Sequence, residues 1–150
     1  MAMRIALASD HAGFALKTQV RRLVEAWGHE VIDFGTFDDE PVDYPDVVLP
    51  AARAVARGEA ERAIVVGGSG NGEAMAANKV RGIRAALCHD VTTARLSRQH
   101  NDANVLALGA RIIGPEVATD VVRTWLETPY EGGRHVRRLE KLHAAEREGG

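Results

Sequence analysis

The chain has 150 residues and a formal charge of −2 at pH 7, with 19 Lys and Arg against 21 Asp and Glu. Its 45% hydrophobic and 27% charged content excludes a disordered chain. The near-zero charge argues against a protein that coats nucleic acid. This length is typical of one domain with its own core, so we expect a single domain over residues 1–150.

Patterns typical of strands and of helices alternate along the whole length. The predicted strands cover residues 4–9, 31–34, 63–66, 84–87 and 105–108. The predicted helices cover residues 14–27, 45–57, 73–79, 92–100, 116–127 and 133–146. This alternation predicts a five-stranded parallel sheet with helices on both faces, a doubly wound α/β domain. In such a sheet, ligands bind beyond the carboxyl ends of the strands.

The single cysteine and the start of the chain bear on where the protein works. Cys88 cannot form an internal disulfide, which favours a reducing, cytoplasmic setting. It ends an apolar segment, so we interpret it as a buried structural residue rather than a nucleophile. The start of the chain does not match a secretory signal, and no apolar run approaches the roughly 20 residues of a membrane helix. We therefore expect a cytoplasmic protein without a membrane partner.

A glycine-rich loop, residues 67–72, joins the third strand to the third helix and reads Gly-Gly-Ser-Gly-Asn-Gly. Its backbone amides can point inward beside a helix N-terminus, which predicts a site for an anion or a developing oxyanion. The loop matches neither the dinucleotide fingerprint, nor the P-loop, nor the nucleophile elbow of serine hydrolases. A tight turn without a ligand is the alternative interpretation.

Glu73 follows this loop directly, in the first turn of the predicted third helix. A carboxylate at that position stabilises the helix dipole, which is one interpretation. The other is a general base. A carboxylate beside an anion site would repel a phosphate, but it suits proton abstraction from a carbon acid whose enolate oxygen binds the amides. The residues alone favour the helix-dipole interpretation over the general base.

Two histidines adjoin polar residues at the ends of predicted elements. Asp10 would cap the next helix or order a substrate hydroxyl, and His11 would bond to a phosphate or a sugar hydroxyl. His100 ends the fourth helix, where it would stabilise the dipole or exchange a proton with a sugar ring oxygen. In the second case Asn101 would fix the substrate.

Three arginines are candidates for binding a phosphate. Arg134 and Arg138 lie four residues apart, hence on one face of the last predicted helix, and Arg111 lies two residues after Gly109 at a strand end. Arginines so placed can hold a phosphate bidentately, although a solvent-exposed charged face is the alternative. The six histidines show no metal-ligand spacing, so we predict no metal site.

The segments that carry these candidates occur in a fixed order, namely residues 10–13, 67–73, 76–79, 84–88, 100–104 and 109–111. Together they resemble the type B ribose-5-phosphate isomerase family, which also contains galactose-6-phosphate isomerase subunits. The resemblance implies a Rossmann-like three-layer α/β/α sandwich and a homodimer or dimer of dimers, with the C-terminal helix docked on a partner subunit. It also implies interconversion of ribose 5-phosphate and ribulose 5-phosphate, a pentose phosphate pathway reaction, through a cis-enediolate without metal or cofactor.

The resemblance further implies a role for each site residue. Many members carry a cysteine base at the position of Gly67, whereas another branch uses a glutamate at the position of Glu73. Here Glu73 is therefore expected to move the proton between C1 and C2, with Ser69 helping protonation. His100 would open the furanose ring, assisted by Asp10. The residues expected to bind substrate are Gly68, Gly70, Asn71 and Gly72 (enediolate), His11, Arg111, Arg134 and Arg138 (phosphate), and Asn101 and Tyr44 (sugar).

Two other functions stay open at this point. One is an isomerase of another sugar phosphate, a tetrose or a hexose phosphate. The other is a non-catalytic module that binds phosphosugars. A binding module has no need of Glu73 and His100 together, so their joint presence favours an enzyme acting on a small sugar phosphate.

Overall fold

The chain folds into a parallel five-stranded sheet with helices on both faces, in a computed structural model that describes residues 2–149. The strands are β1 (Arg4–Ser9), β2 (Glu30–Asp33), β3 (Arg62–Gly67), β4 (Ala85–Leu87) and β5 (Val105–Gly109). The helices are α1 (Phe14–Ala26), α2 (Pro45–Ala56), α3 (Asn71–Ala77), α4 (Val91–Asn101), α5 (Pro115–Glu127) and α6 (His135–Arg147). The predicted α/β fold is thus confirmed. Within the described range, every helix is too short or too polar to cross a membrane.

The strand order is β2-β1-β3-β5-β4, so β5 lies between β3 and the edge strand β4. The alternation of elements predicts a parallel sheet but not this order. Helix and strand bounds differ from the predicted ones by at most two residues, and those of β1 coincide with the prediction. The largest differences are at α3, which begins earlier, at Asn71, and at α6, which begins later, at His135. Gly132 and Gly133 both have positive φ, which delays the start of α6.

Successive strand residues point to opposite faces and supply two separate hydrophobic layers. One layer packs large side chains such as Leu7, Ile64 and Leu106 against α1, α4 and α5, with Trp125 fully buried among them. The other packs smaller strand residues such as Ala6 and Ala107 against α2 and α3. Small side chains on this second face let α3, and the loop that precedes it, lie close to the strand ends.

A buried ion pair fixes the chain where it leaves β2. Lys17, a residue only 1% exposed, donates through its ammonium to Asp33 Oδ1 at 2.7 Å and to the Thr36 carbonyl. Arg21 donates to the other carboxylate oxygen at 3.1 Å. The Lys17 ammonium also lies 5.1 Å from the centre of the Phe37 ring. These contacts anchor the start of the acidic loop that leads to α2 and carries Tyr44.

Candidate active site

Three loops meet at the carboxyl edge of the sheet. Ser9 of β1 is in register with Val66 of β3, and Gly67 of β3 is in register with Gly109 of β5, so the three strands end at one level. Asp10 follows β1, the glycine loop follows β3, and Arg111 follows β5. This juxtaposition is the one expected for a parallel sheet.

The glycine loop lies directly on the strand ends because glycine lacks a Cβ. Gly70 has φ +83°, and a Cβ there would be 2.8 Å from the Leu108 carbonyl oxygen. A Cβ on Gly109 would be 2.4 Å from the Ser69 carbonyl oxygen. The Asn71 amide donates to Ser69 Oγ at 3.2 Å. Backbone therefore approaches backbone more closely here than other residues permit, which holds the loop amides in place.

The Glu73 carboxylate is buried, with 3% of the residue exposed, and it occupies the space above Gly67. A Cβ on Gly67 would lie 2.2 Å from the carboxylate carbon and from both of its oxygens. Burial raises the pKa of Glu73, and the neighbouring Asp10 carboxylate raises it further, while a hydrogen bond from its own backbone amide acts in the opposite direction. A buried carboxylate with a raised pKa is typical of a general base rather than of a solvent-exposed carboxylate that stabilises a helix dipole.

Backbone amides donate hydrogen bonds to the side chains of Asp10 and His11, and each side chain keeps a second polar atom for other contacts. Asp10 Oδ1 accepts from the Gly13 amide at 3.0 Å, so Asp10 does stabilise the turn before α1. His11 Nδ1 accepts from the Val42 amide at 3.2 Å. The proton of a neutral His11 ring is therefore assigned to Nε2, which makes that nitrogen a donor.

Tyr44 and Arg111 flank the glycine loop. A Cβ on Gly72 would lie 2.6 Å from Tyr44 Cζ, so the ring lies against the loop backbone. A Cβ on Gly68 would lie 3.4 Å from the Arg111 guanidinium carbon. We call this assembly the loop half-site; its members are Asp10, His11, Tyr44, Gly68, Ser69, Gly70, Asn71, Gly72, Glu73 and Arg111.

The remaining predicted site residues lie at the opposite edge of the sheet. His100 and Asn101 end α4, which runs back to the amino end of β5, and Arg84 at the start of β4 donates to the Asn101 carbonyl at 3.1 Å. Arg134 and Arg138, both exposed, belong to the start of α6. We call His100, Asn101, Arg134 and Arg138 the helix half-site. Strand β5, five residues and about 16 Å long, separates this edge of the sheet from the edge that carries Glu73.

Comparison with known proteins decides the family. The family model described as Ribose/Galactose Isomerase matches residues 5–142. The chain belongs to this family. The isomerase is 50% identical over 144 residues to ribose-5-phosphate isomerase B of Escherichia coli, covering 95% of this chain and 96% of that protein. It is 40% identical over 143 residues to D-erythrulose-4-phosphate isomerase of Pectobacterium atrosepticum, covering 93% of each. It superposes on Clostridium thermocellum ribose-5-phosphate isomerase B with a TM-score of 0.97, at 49% identity and covering 99% and 100% of the two chains.

One group of side chains in the isomerase escapes sequence reasoning. His135, at the start of α6, stacks on His100 with ring centroids 4.3 Å apart and an angle of 16° between the planes. Ligand atoms of His100, Glu131 and His135 lie within 4.8 Å of one another. The interval between residues 100 and 131 matches no motif. The available signal was that His135 and Leu139, four residues apart, form the buried face of a helix that otherwise reads as polar.

Cys88 of the isomerase is buried, as predicted, with 1% of the residue exposed. Burial raises the pKa of its thiol, which keeps the thiol protonated and a poor nucleophile. Its backbone amide continues the pairing of β4 with β5, donating to the Ala107 carbonyl at 3.2 Å. These properties agree with a packing role.

Proposed function

We propose that this isomerase interconverts ribose 5-phosphate and ribulose 5-phosphate, with Glu73 as the base. The observation that carries the proposal is the placement of the Glu73 carboxylate, buried above Gly67 and beside the amides of the glycine loop. Relatives that act on sugar phosphates of different length are similar to this chain at comparable coverage. The five-carbon substrate is the one named for the E. coli and C. thermocellum relatives.

Proton transfer follows from this placement. Glu73 removes the C2 proton of the open-chain aldose, and the electron pair moves through C1 onto the carbonyl oxygen, forming an enediolate. The loop amides of residues 68–72 stabilise its oxygens, while Ser69 assists the transfer of the hydroxyl proton. The protonated Glu73 then returns the proton to C1, which leaves the carbonyl at C2. The raised pKa of Glu73 strengthens it as a base toward this weak carbon acid.

The overlap at position 67 supports this assignment independently. A side chain at residue 67 and the Glu73 carboxylate would occupy the same volume. A cysteine at 67, which the resemblance implies for other members, would therefore present its sulfur close to where Glu73 presents its oxygens. Both branches would deliver a base to one point beside the loop.

Ring opening requires the helix half-site, which in the same chain lies at the opposite edge of the sheet from Glu73, so we propose that a second copy supplies it. His100 of that copy would protonate the ring oxygen of the furanose, while Asp10 would accept the proton of the anomeric hydroxyl. Exposed apolar side chains support such a contact, namely Met75 on α3 and Val136 and Leu142 on α6. A cavity of about 650 Å³ lies between α6 and the start of β4, next to Asn101.

The phosphate would bind between the two half-sites. His11 and Arg111 would contact it from one copy, and Arg134 and Arg138 from the other. Asn101 would bond to the sugar, and Tyr44 would cover the ring. A dianion meeting several cationic groups is well neutralised, although the chain as a whole is slightly acidic.

Glu73→Gln tests the base. We expect exchange of the C2 proton with solvent to fall by about 10²–10⁴-fold, the range that a general base contributes, because the amide of glutamine does not take up the proton. Substrate binding, measured by calorimetry, should persist. Glu116→Gln is the matched control, because Glu116 also lies in the first turn of a helix but in solvent. Near-normal exchange in Glu73→Gln would exclude Glu73 as the base.

Mixed dimers test the shared site. Glu73→Gln and His100→Ala chains carrying different tags are co-expressed, and dimers holding both tags are purified. Each variant alone should be inactive. A mixed dimer contains one site with both residues intact, so about half of wild-type activity is expected under two-fold symmetry. Inactive mixed dimers would mean that Glu73 and His100 of the same chain act in one site, or that the two residues do not take part in the same reaction.

The substrate is tested with a panel of four-, five- and six-carbon sugar phosphates in the presence of a chelator. We expect the highest kcat/KM for ribose 5-phosphate, and no loss of activity from the chelator. A higher kcat/KM for the four-carbon sugar phosphate would assign the chain the reaction named for its Pectobacterium relative.

A further inference from the structure

His135 contacts the residue assigned to ring opening and has no assigned role of its own. Its imidazole is stacked on that of His100, and 6% of the residue is exposed. His100 itself is partly exposed, and His135 covers one face of its ring. The buried ring of His135 therefore limits how far the ring of His100 can tilt.

The segment that carries His135 is fastened to the end of α4. The Glu131 amide donates to the Gln99 carbonyl at 3.1 Å. Arg98, 5% exposed, donates through Nε to the Thr128 carbonyl at 3.0 Å and through a guanidinium nitrogen to the Ala103 carbonyl at 2.7 Å. The connection between α5 and α6 is thus held against the last turn of α4, so His135 has a fixed position relative to His100.

The same three donors, His100, Glu131 and His135, do not form a preorganised metal site. The lone pairs of an imidazole lie in the ring plane, and the planes of the two stacked rings are separated and only 16° apart. One ion about 2.1 Å from a nitrogen of each ring would lie out of the plane of at least one of them, so the stack would have to open before it could bind. The observed arrangement instead suits contact between ring faces.

We propose that His135 is a positioning residue, whose buried ring stacks on His100 and holds that imidazole in the orientation that meets the ring oxygen of the sugar. This inference rests on the proposed function of His100. Burial, His100 and Arg134 lower the pKa of His135, whereas Glu131 raises it. The lowered pKa favours the neutral form of the His135 ring in the stack.

The experiment compares two replacements of His135 and two reactions. His135→Phe keeps a flat ring for stacking, whereas His135→Leu keeps apolar volume without one. Turnover of ribose 5-phosphate requires ring opening. Exchange of the C1 proton of ribulose 5-phosphate with deuterium, followed by NMR, does not, because the esterified O5 prevents this ketose from closing a furanose.

We expect His135→Leu to lower kcat for ribose 5-phosphate by about three- to tenfold, the range that an aromatic stack contributes, and to leave C1 exchange unchanged. His135→Phe should restore most of kcat. Unaltered kcat in His135→Leu, or an equal loss in both reactions, would overturn the positioning role. His100→Ala separates the two levels. If it keeps full turnover, the assigned role of His100 is wrong. If it loses turnover while His135→Leu does not, only the inference about His135 is wrong.

Discussion

Gly67→Ala isolates the placement of the base from the stability of the fold. The added Cβ would lie 2.2 Å from the Glu73 carboxylate, where ordinary contacts begin at 3.4 Å, so the carboxylate must move by about 1.2 Å. The carboxylate is the far end of a flexible side chain and can give way. Overpacking therefore costs about 1 kcal/mol, which the lower chain entropy of alanine offsets by about 0.5–1 kcal/mol. Catalysis tolerates such movement poorly, since about 1 Å of misplacement can cost roughly 10²-fold.

We therefore expect Gly67→Ala to lose about 10²-fold in kcat, while the free energy of unfolding stays within about 1 kcal/mol of wild type. The assays are steady-state turnover and urea unfolding. Gly114→Ala is the matched control, because nothing lies within 4 Å of its added Cβ. Wild-type turnover in Gly67→Ala would refute the reasoning, since the base would then not depend on the space above residue 67.

Three further predictions address charge. Asp10→Asn removes a carboxylate that raises the pKa of Glu73, so the pKa of Glu73 should fall. Because the ionised form of Glu73 is the proposed base, the acid-side loss of kcat/KM in a pH–rate profile should move to lower pH. An acid limb at the wild-type pH would contradict this coupling. Arg134→Ala combined with Arg138→Ala should raise KM at least about tenfold with a smaller change in kcat, whereas an unchanged KM would return this helix face to a solvated role. Lys17→Met leaves a buried carboxylate with one partner fewer, so urea unfolding should show a loss of about 3–5 kcal/mol; a loss under about 1 kcal/mol would mean that the loop is held by other contacts.

The fold was predictable from local patterns because residues that favour the start or the end of a helix or strand mark the bounds of the elements. Pro45 begins α2 at its first turn, and Gly28 follows α1 with φ +93°, as their residue types indicate. The order of the strands was not predictable, because it depends on which helices pack together rather than on any local signal. Nothing in the residues of β4 distinguishes it as the edge strand next to β5.

Candidate site residues could be proposed from the sequence, but their arrangement in space could not. The first-turn position of Glu73 is compatible with a dipole role, and its burial above Gly67 is a tertiary property. The separation of His100 from Glu73 was implicit in the chain order, since α4 ends just before β5 begins and so returns to the amino edge. The stack of His135 on His100 could not be predicted from the sequence, because a contact between residues far apart in the chain produces no regular spacing.

The shared volume above residue 67 also constrains how this lineage can change. A first substitution at Gly67 displaces the Glu73 carboxylate, and a first substitution at Glu73 removes it. With Glu73 as the base, as proposed, each one-step intermediate would be a poor catalyst, although a double substitution need not be, which is epistasis between two positions in contact. Purifying selection against those intermediates would keep a lineage with one base from drifting to the other, so the pair of residues at 67 and 73 marks descent as well as chemistry.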